Sequence, residues 1–225
     1  MATAVRSDEE LQRDVLAELK WDTGVGPNEI GVIVKDGVVT LTGWVDSYAK
    51  KWAAVEAAQR VTGVKAVADE IEVRLPGSSQ RTDADIAAAA RRALEWDALV
   101  PVDNIEIIVS KGVVTLKGEV PWHYQKEDAE RVIRRLVGVR GVVNLLTVRS
   151  QLRPSPEELK RDIENALVRD AELDATRIQV EVKDDGTVVL KGTVRSWAER
   201  EEAERVAWRG PGVIAVENLI EVEPD

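Results

Sequence analysis

The segment Gly37-Val38-Val39-Thr40-Leu41-Thr42-Gly43 decides how this chain folds. It returns as Gly112-Val113-Val114-Thr115-Leu116-Lys117-Gly118, and again as Gly186-Thr187-Val188-Val189-Leu190-Lys191-Gly192. A glycine that opens a β-branched run is typical of the second strand of a hairpin. Because the same spacing recurs three times in 225 residues, the sequence is one small unit repeated three times, and both fold and function must be inferred per unit.

Nine glycines hold equivalent places in the three repeats, in three sets. The first set stands where a turn must open the strand. The second falls on the apolar face of that strand, where we expect a helix to approach the backbone closely. The third is predicted to end the second helix in left-handed geometry. The sets are Gly37, Gly112 and Gly186; Gly43, Gly118 and Gly192; and Gly63, Gly138 and Gly212.

Each repeat begins with a helix that has a capping residue at its start and an acidic residue three places later. These pairs are Ser7 with Glu10, Thr82 with Asp85, and Ser155 with Glu158. Apolar residues at a spacing of four follow each pair and predict a buried helical stripe. The fold class is therefore α+β: three tandem α-β-β-α-β domains, each a three-stranded mixed sheet. A right-handed crossover from the second to the third strand places the two helices on one face.

Short polar linkers set the predicted domains at residues 1–76, 80–152 and 154–225. The net charge of −10 is uneven, because residues 7–76 carry −5, residues 82–152 carry 0 and residues 155–225 carry −8. Such acidity disfavours nucleic acid, whose binding depends on neutralised phosphates. No stretch approaches the roughly 20 apolar residues of a membrane span. The polar start predicts a cytoplasmic protein, or a periplasmic one if a leader was removed.

The repeated pattern resembles the BON domain family, named for an osmotically induced bacterial protein and for nodulation proteins. The resemblance rests on Ile-x-Val-x-Val, a turn, the Gly-x-Val-x-Leu-x-Gly-x-Val strand, an Ala-rich helix and a final strand, and it covers nearly the whole chain. It implies a helix-strand-strand-helix-strand fold, as derived above, and no enzymatic activity. It also implies roles in osmotic or envelope stress, attachment to phospholipid surfaces and, in one branch, potassium binding.

The residues themselves also give no sign of catalysis, of a metal site or of a cofactor. His123 is the only histidine and Cys is absent, so no histidine-based or thiolate metal site can be assembled within the chain. The repeated apolar framework accounts for most positions that are not surface positions. We therefore expect a non-enzymatic protein with no deep pocket that holds several polar side chains.

The clearest departure from the repeat is Trp122-His123-Tyr124, which precedes a run of basic residues. Aromatic rings beside cations suit a surface that lies among anionic lipid headgroups. The alternative is that the ring at the position shared by Tyr48, His123 and Trp197 packs over the sheet, while the arginines pair with neighbouring acids. The candidate basic residues are Lys126, Arg131, Arg134 and Arg135.

For four more tryptophans, the alternatives are again burial in the core and exposure on a contact surface. Trp21 and Trp96 close the first helix in two repeats and are predicted to be core residues. Trp44 and Trp52 lie outside the repeated apolar set and are candidates for contacts between domains or with a partner.

Together these observations predict a non-enzymatic stress-response module that associates with an anionic phospholipid surface. The alternative is a cytosolic scaffold whose domains dock on each other or on a protein partner, and a weaker one is a potassium-binding sensor. The ligand, the inducing stimulus, the oligomeric state and the arrangement of the three domains are left open by the sequence.

Overall fold

A computed structural model of the chain describes residues 6–25, 30–170 and 173–223. Each repeat has the predicted order of helix, strand, strand, helix and strand. The first contains α1 (Asp8–Trp21), β1 (Ile30–Lys35), β2 (Val38–Val45), α2 (Tyr48–Gln59) and β3 (Ala66–Val73). The second contains α3 (Asp83–Trp96), β4 (Ile105–Ser110), β5 (Val113–Val120), α4 (His123–Arg134) and β6 (Gly141–Val148). The third contains α5 (Pro156–Arg169), β7 (Ile178–Val182), β8 (Thr187–Val194), α6 (Trp197–Trp208) and β9 (Ala215–Val222).

The first helix of every repeat starts where the capping signal predicted. Ser7, Thr82 and Ser155 each accept a hydrogen bond from the backbone N–H three residues later. The acidic side chain at that later position accepts a hydrogen bond from the backbone N–H of the capping residue. These reciprocal bonds satisfy N–H groups that the helix cannot satisfy itself. The predicted stripes are buried: Leu11, Val15 and Leu19; Ile86, Ala90 and Leu94; Leu159, Ile163 and Leu167.

Each repeat forms a three-stranded sheet with its middle strand second in chain order. In the second repeat, β4 pairs with β5 antiparallel and β5 pairs with β6 parallel, so the sheet is mixed. The third repeat is the same. Buried side chains of α3, α4, β5 and β6 belong to one cluster, so the two helices share one face of the sheet and the predicted fold class is confirmed.

The second set of glycines shares one backbone conformation, for a reason that differs from the one predicted. Gly43, Gly118 and Gly192 have φ values of +112°, +132° and +123°, a region that favours glycine. A Cβ at Gly118 would lie 2.0 Å from the carbonyl oxygen of Asn104, and one at Gly192 would lie 2.0 Å from that of Arg177. Both carbonyls end a 3₁₀ turn that leads into the paired strand. The prediction that a helix crosses these two glycines is therefore wrong.

The other two sets of glycines lie where the repeat placed them. Gly37, Gly112 and Gly186 adopt positive φ in the hairpin turns, and Gly63, Gly138 and Gly212 adopt positive φ just after the second helix. In the first two repeats, the residue before the turn glycine, Asp36 or Lys111, also has positive φ. The N–H groups of this turn bind the carboxylate of the first helical residue, Asp8 or Asp83, which ties the turn to the start of the helix.

Contacts divide the chain into two compact units, and one of them combines residues 72–151 with residues 44–51. This unit therefore holds the second repeat together with the start of α2. Tyr48 in this segment packs against the core of the second repeat. The predicted packing of this ring is thus found, but against the core of the following repeat.

Candidate functional site

The side chains of Trp122-His123-Tyr124 alternate in exposure at the start of α4. Trp122 is 37% exposed and Tyr124 is 46% exposed. His123 between them is largely buried, and this burial lowers its pKa from 6.5 to about 4, with a smaller contribution from Lys126. Its Nδ1 lies 3.7 Å from Glu127 Oε2, which is longer than an ordinary hydrogen bond. The His123 ring is thus packed, as the alternative predicted, and the two flanking rings remain exposed.

A buried glutamine connects this helix start to the loop that follows α3. Gln125 Oε1 accepts a hydrogen bond from the Trp122 N–H at 3.1 Å, and its Nε2 donates to the Leu99 carbonyl, also at 3.1 Å. Leu99 is 49% exposed, and Trp96, three residues earlier at the end of α3, is 89% exposed. Trp96, Leu99, Trp122 and Tyr124 therefore belong to two segments that one side chain holds together. We call these four residues the aromatic end of the second repeat.

The prediction that Trp21 and Trp96 are core residues is wrong, since they are 83% and 89% exposed. Each lies two residues after the last member of its buried stripe, Leu19 or Leu94. Two residues correspond to about 200° around an α-helix, which turns the ring away from the core. This angular count needs only the sequence and is the signal that would have placed Trp96 on the surface.

The exposed rings of α4 replace small residues of the other two repeats. Where the second repeat has Trp122, the first has Ser47 and the third has Ser196. Ser196 caps its helix by accepting a hydrogen bond from the Glu199 N–H, whereas Trp122 supplies no side-chain cap. Tyr124 likewise stands where the other repeats have Ala49 and Ala198. The second repeat thus lacks a side-chain cap at the start of α4 and has two exposed rings in place of small residues.

The predicted basic residues do not join these rings in one patch. Arg131 pairs with the buried Asp128. Arg134 and Arg135 lie at the other end of α4, a 12-residue helix and hence about 18 Å long. Of the predicted cations, only the half-buried Lys126 lies in the first turns of α4. The structure therefore separates the aromatic part of the predicted lipid site from its arginines.

The two tryptophans predicted for partner contacts differ in exposure. Trp44 is 42% exposed at the end of β2, and the Arg74 guanidinium lies 5.8 Å from the centre of its ring. Trp52 is half-buried on α2. Trp44 therefore offers a contact surface, and Trp52 offers only part of one.

The third repeat has a groove that the sequence did not predict. About 560 Å³ in volume, it lies between α5 and the end of α6 and is lined by apolar side chains together with Asp162, Asn165, Arg169, Asp170 and Arg209. The prediction concerned a deep pocket with several polar side chains, and this groove, which is partly open to solvent, does not test it. Among the residues that the structure describes, no group of three or more histidine, aspartate and glutamate residues is placed to hold a metal ion. Nor does that part of the chain include a helix apolar and long enough to span a membrane.

Comparison with known proteins identifies the family. The family model of the BON domain matches residues 7–74, 82–150 and 155–224. The chain is 32% identical over 141 residues to osmotically-inducible protein Y of Escherichia coli K12, a match that covers 61% of this chain and 70% of that protein. The chain therefore belongs to the BON domain family, with three BON domains, and is a homologue of an osmotically inducible protein.

Solved structures of CdsD, a structural protein of the type III secretion system of Chlamydia trachomatis, also show a likeness. One is 13% identical and covers 95% of this chain and 92% of that chain, with a TM-score of 0.27. The other, of the CdsD C-terminal domain, is 14% identical and covers 97% and 100%, again with a TM-score of 0.27. At this score nothing about the present chain follows from the likeness.

Proposed function

We propose that this protein is a non-enzymatic stress-response module that attaches to phospholipid surfaces through the aromatic end of the second BON domain. The observation that carries the proposal is the replacement of a capping serine and an alanine by the exposed rings Trp122 and Tyr124. A residue that breaks a local rule of the fold without an evident gain in stability is expected at a functional site. The osmotic-stress part of the proposal is supported by the similarity to osmotically-inducible protein Y.

The chemistry of the aromatic end suits the region between lipid headgroups and acyl chains. Tryptophan and tyrosine combine an apolar ring with one polar atom and are enriched at such interfaces. Transfer of roughly 100 Å² of exposed apolar surface from water contributes about 2.5 kcal/mol. Several such side chains together give weak, reversible attachment without any membrane-spanning segment.

Charge is not the main source of attachment in this proposal. The segment that carries Trp96 and Leu99, residues 95–104, contains Glu95, Asp97 and Asp103 and no basic residue. Of the predicted arginines, Arg134 and Arg135 are about 18 Å from Trp122 along α4, and Arg131 is paired with Asp128. We therefore expect attachment to depend mainly on the insertion of apolar side chains and less on whether the lipid surface is anionic.

Co-sedimentation of the intact chain with phospholipid vesicles tests the proposal. The double substitution Trp122→Ser and Tyr124→Ala installs the residues of the third domain, so it is expected to fold. We expect it to weaken vesicle binding at least about ten-fold, the effect of losing about 1.4 kcal/mol. The matched control is Trp21→Gln, which removes an exposed tryptophan from the end of α1 and should leave vesicle binding unchanged. Equal binding by the wild-type chain and the Trp122 and Tyr124 double variant would refute the proposal.

A protein partner is the second candidate, favoured by the exposed ring of Trp44 at the end of β2. Tryptophan is enriched among the side chains that anchor protein–protein contacts. This candidate predicts that Trp44→Thr, which installs the residue of the third repeat, abolishes association in sedimentation velocity without changing vesicle binding. A wild-type chain that remains monomeric in that experiment would exclude docking between copies.

A further inference from the structure

The groove of the third BON domain, defined above between α5 and the end of α6, has an apolar floor. Ile163, Ala166, Val206 and Pro211 line it, and Ile163 and Val206 are themselves part of the buried core. Its volume of about 560 Å³ lies in the range of sites that hold small organic molecules. The floor therefore offers a surface for the apolar body of a ligand.

Two arginines on this groove lack the partners that exposed cations of this protein usually have. The side chain of Arg169, the last residue of α5, makes no hydrogen bond or ion pair with the residues that the structure describes. Arg209 lies 3.9 Å from Glu202 Oε1, at the limit of an ion pair, and Glu202 is already paired with Arg205. The groove thus carries positive charge that the chain itself does not neutralise well.

The first BON domain shows how an equivalent arginine is neutralised. Arg60 occupies the position of Arg209, and its Nη2 lies 2.5 Å from Asp22 Oδ2 while its Nε lies 3.1 Å from Glu18 Oε1. The third domain has Ala166 where the first has Glu18. One of the two carboxylates that hold this arginine against the first helix is therefore missing, and Arg209 turns toward Glu202 instead.

We propose that the α5–α6 groove binds a small organic monoanion, a carboxylate with a short aliphatic body. The carboxylate would lie between Arg169 and Arg209, and the aliphatic body would cover Ala166 and Val206. A single charge is favoured because Asp162 and Asp170 also line the groove and the domain carries a net charge of −8. A phosphate dianion would meet twice the repulsion from these acids with no apolar body to bury. This site is separate from the aromatic end and does not depend on lipid binding.

Titration of the intact chain with hexanoate, followed by backbone amide chemical shifts, tests this site. We expect saturable shifts confined to α5 and the end of α6. Hexanol, which lacks the charge, and inorganic phosphate, which lacks the aliphatic body, should each bind at least about ten-fold more weakly. Saturation by phosphate as tight as by hexanoate would overturn the choice of ligand class.

Residues at equivalent positions of the other domains supply the variants that test the groove. Arg169→Trp installs the residue of the first two domains, and Ala166→Glu restores the carboxylate that holds Arg60 in the first domain. Each should weaken hexanoate binding at least about ten-fold. Lys160→Gln removes the same charge from α5 outside the groove and should leave binding unchanged. Thermal unfolding identifies any variant that fails to fold. The proposal is overturned if hexanoate gives no saturable shifts, or if either folded groove variant binds like the wild type.

Discussion

At the scale of single residues, Gly118 lies where a positive φ and a neighbouring 3₁₀ turn leave no room for a side chain. The repeat places Gly118 on the apolar face of β5 correctly. The need for glycine comes from φ = +132° and from the Asn104 carbonyl, which a Cβ would approach to 2.0 Å. Periodicity assigns a residue to a face of a strand, but it carries no information about the path of a loop that returns to that strand. The close approach of the 3₁₀ turn therefore could not be predicted from the sequence.

His123 provides a prediction at the same scale. Its pKa is about 4 in the folded chain and 6.5 in the unfolded chain, so the unfolded chain binds more protons between these values. The stability that depends on neutral His123 is complete above pH 6.5 and is lost as the pH falls toward 4. Partial solvent access reduces the full cost, and we expect a loss of about 1 kcal/mol between pH 7 and pH 5.

His123→Tyr installs the residue of the first domain and removes this titration. Chemical denaturation of both proteins at pH 7 and pH 5 gives the comparison. The wild type should lose stability and the variant should lose less, by about 1 kcal/mol. The same loss in both proteins would show that His123 does not titrate between these pH values in the way described. Carboxylates with lowered pKa values, such as Asp22 bound by Arg60, act at lower pH and do not confuse the comparison.

At the scale of elements, the starts of the first helices are predicted correctly from the sequence, whereas the exposure of the last residue of α1 and α3 is not. Capping residues leave a local signature, so Ser7, Thr82 and Ser155 mark three helix starts from the sequence alone. Trp21 and Trp96 are exposed because the buried stripe ends at Leu19 and Leu94 and does not continue to the last residue of the helix. The contact between Gln125 and Leu99 joins residues 26 apart, and no spacing rule reveals it.

The missing cap of α4 gives the prediction for elements. Trp122→Ser should create a bond from the backbone N–H of Gln125 to the serine hydroxyl oxygen, like that between Glu199 and Ser196. A serine cap contributes about 0.5–2 kcal/mol, so the variant should be more stable than the wild type. Urea unfolding measures the change, and Ser196→Trp is the reciprocal control that should destabilise α6. A destabilised Trp122→Ser protein would mean that the Trp122 ring packs on the fold and is not held at a cost for binding.

At the scale of the whole molecule, lipid attachment has two candidate sources, which are the arginines and the aromatic end of the second BON domain. The chain carries a net charge of −10, and only the second BON domain is neutral. Arg134 and Arg135 of that domain lie about 18 Å from Trp122 in its aromatic end, farther than the Debye length of about 10 Å at 0.1 M salt. The sequence indicates both sets of residues, and the number of helical residues between them already implies their separation, which a reading by proximity in sequence overlooks.

The dependence of vesicle binding on salt decides between these two sources of attachment. If the arginines hold the protein on anionic lipid, binding to anionic vesicles should fall steeply as salt rises, because each basic residue near such a surface contributes about 1 kcal/mol that salt screens. If the aromatic end inserts, the net charge of −10 opposes approach, and salt should strengthen that binding or leave it unchanged. We expect the second behaviour, with neutral vesicles bound at least as well as anionic ones at low salt. Replacing Arg134 and Arg135 with glutamine should then change vesicle binding less than Trp122→Ser does. A steep loss of binding with salt, together with loss of binding in the arginine variant, would assign attachment to the arginines instead.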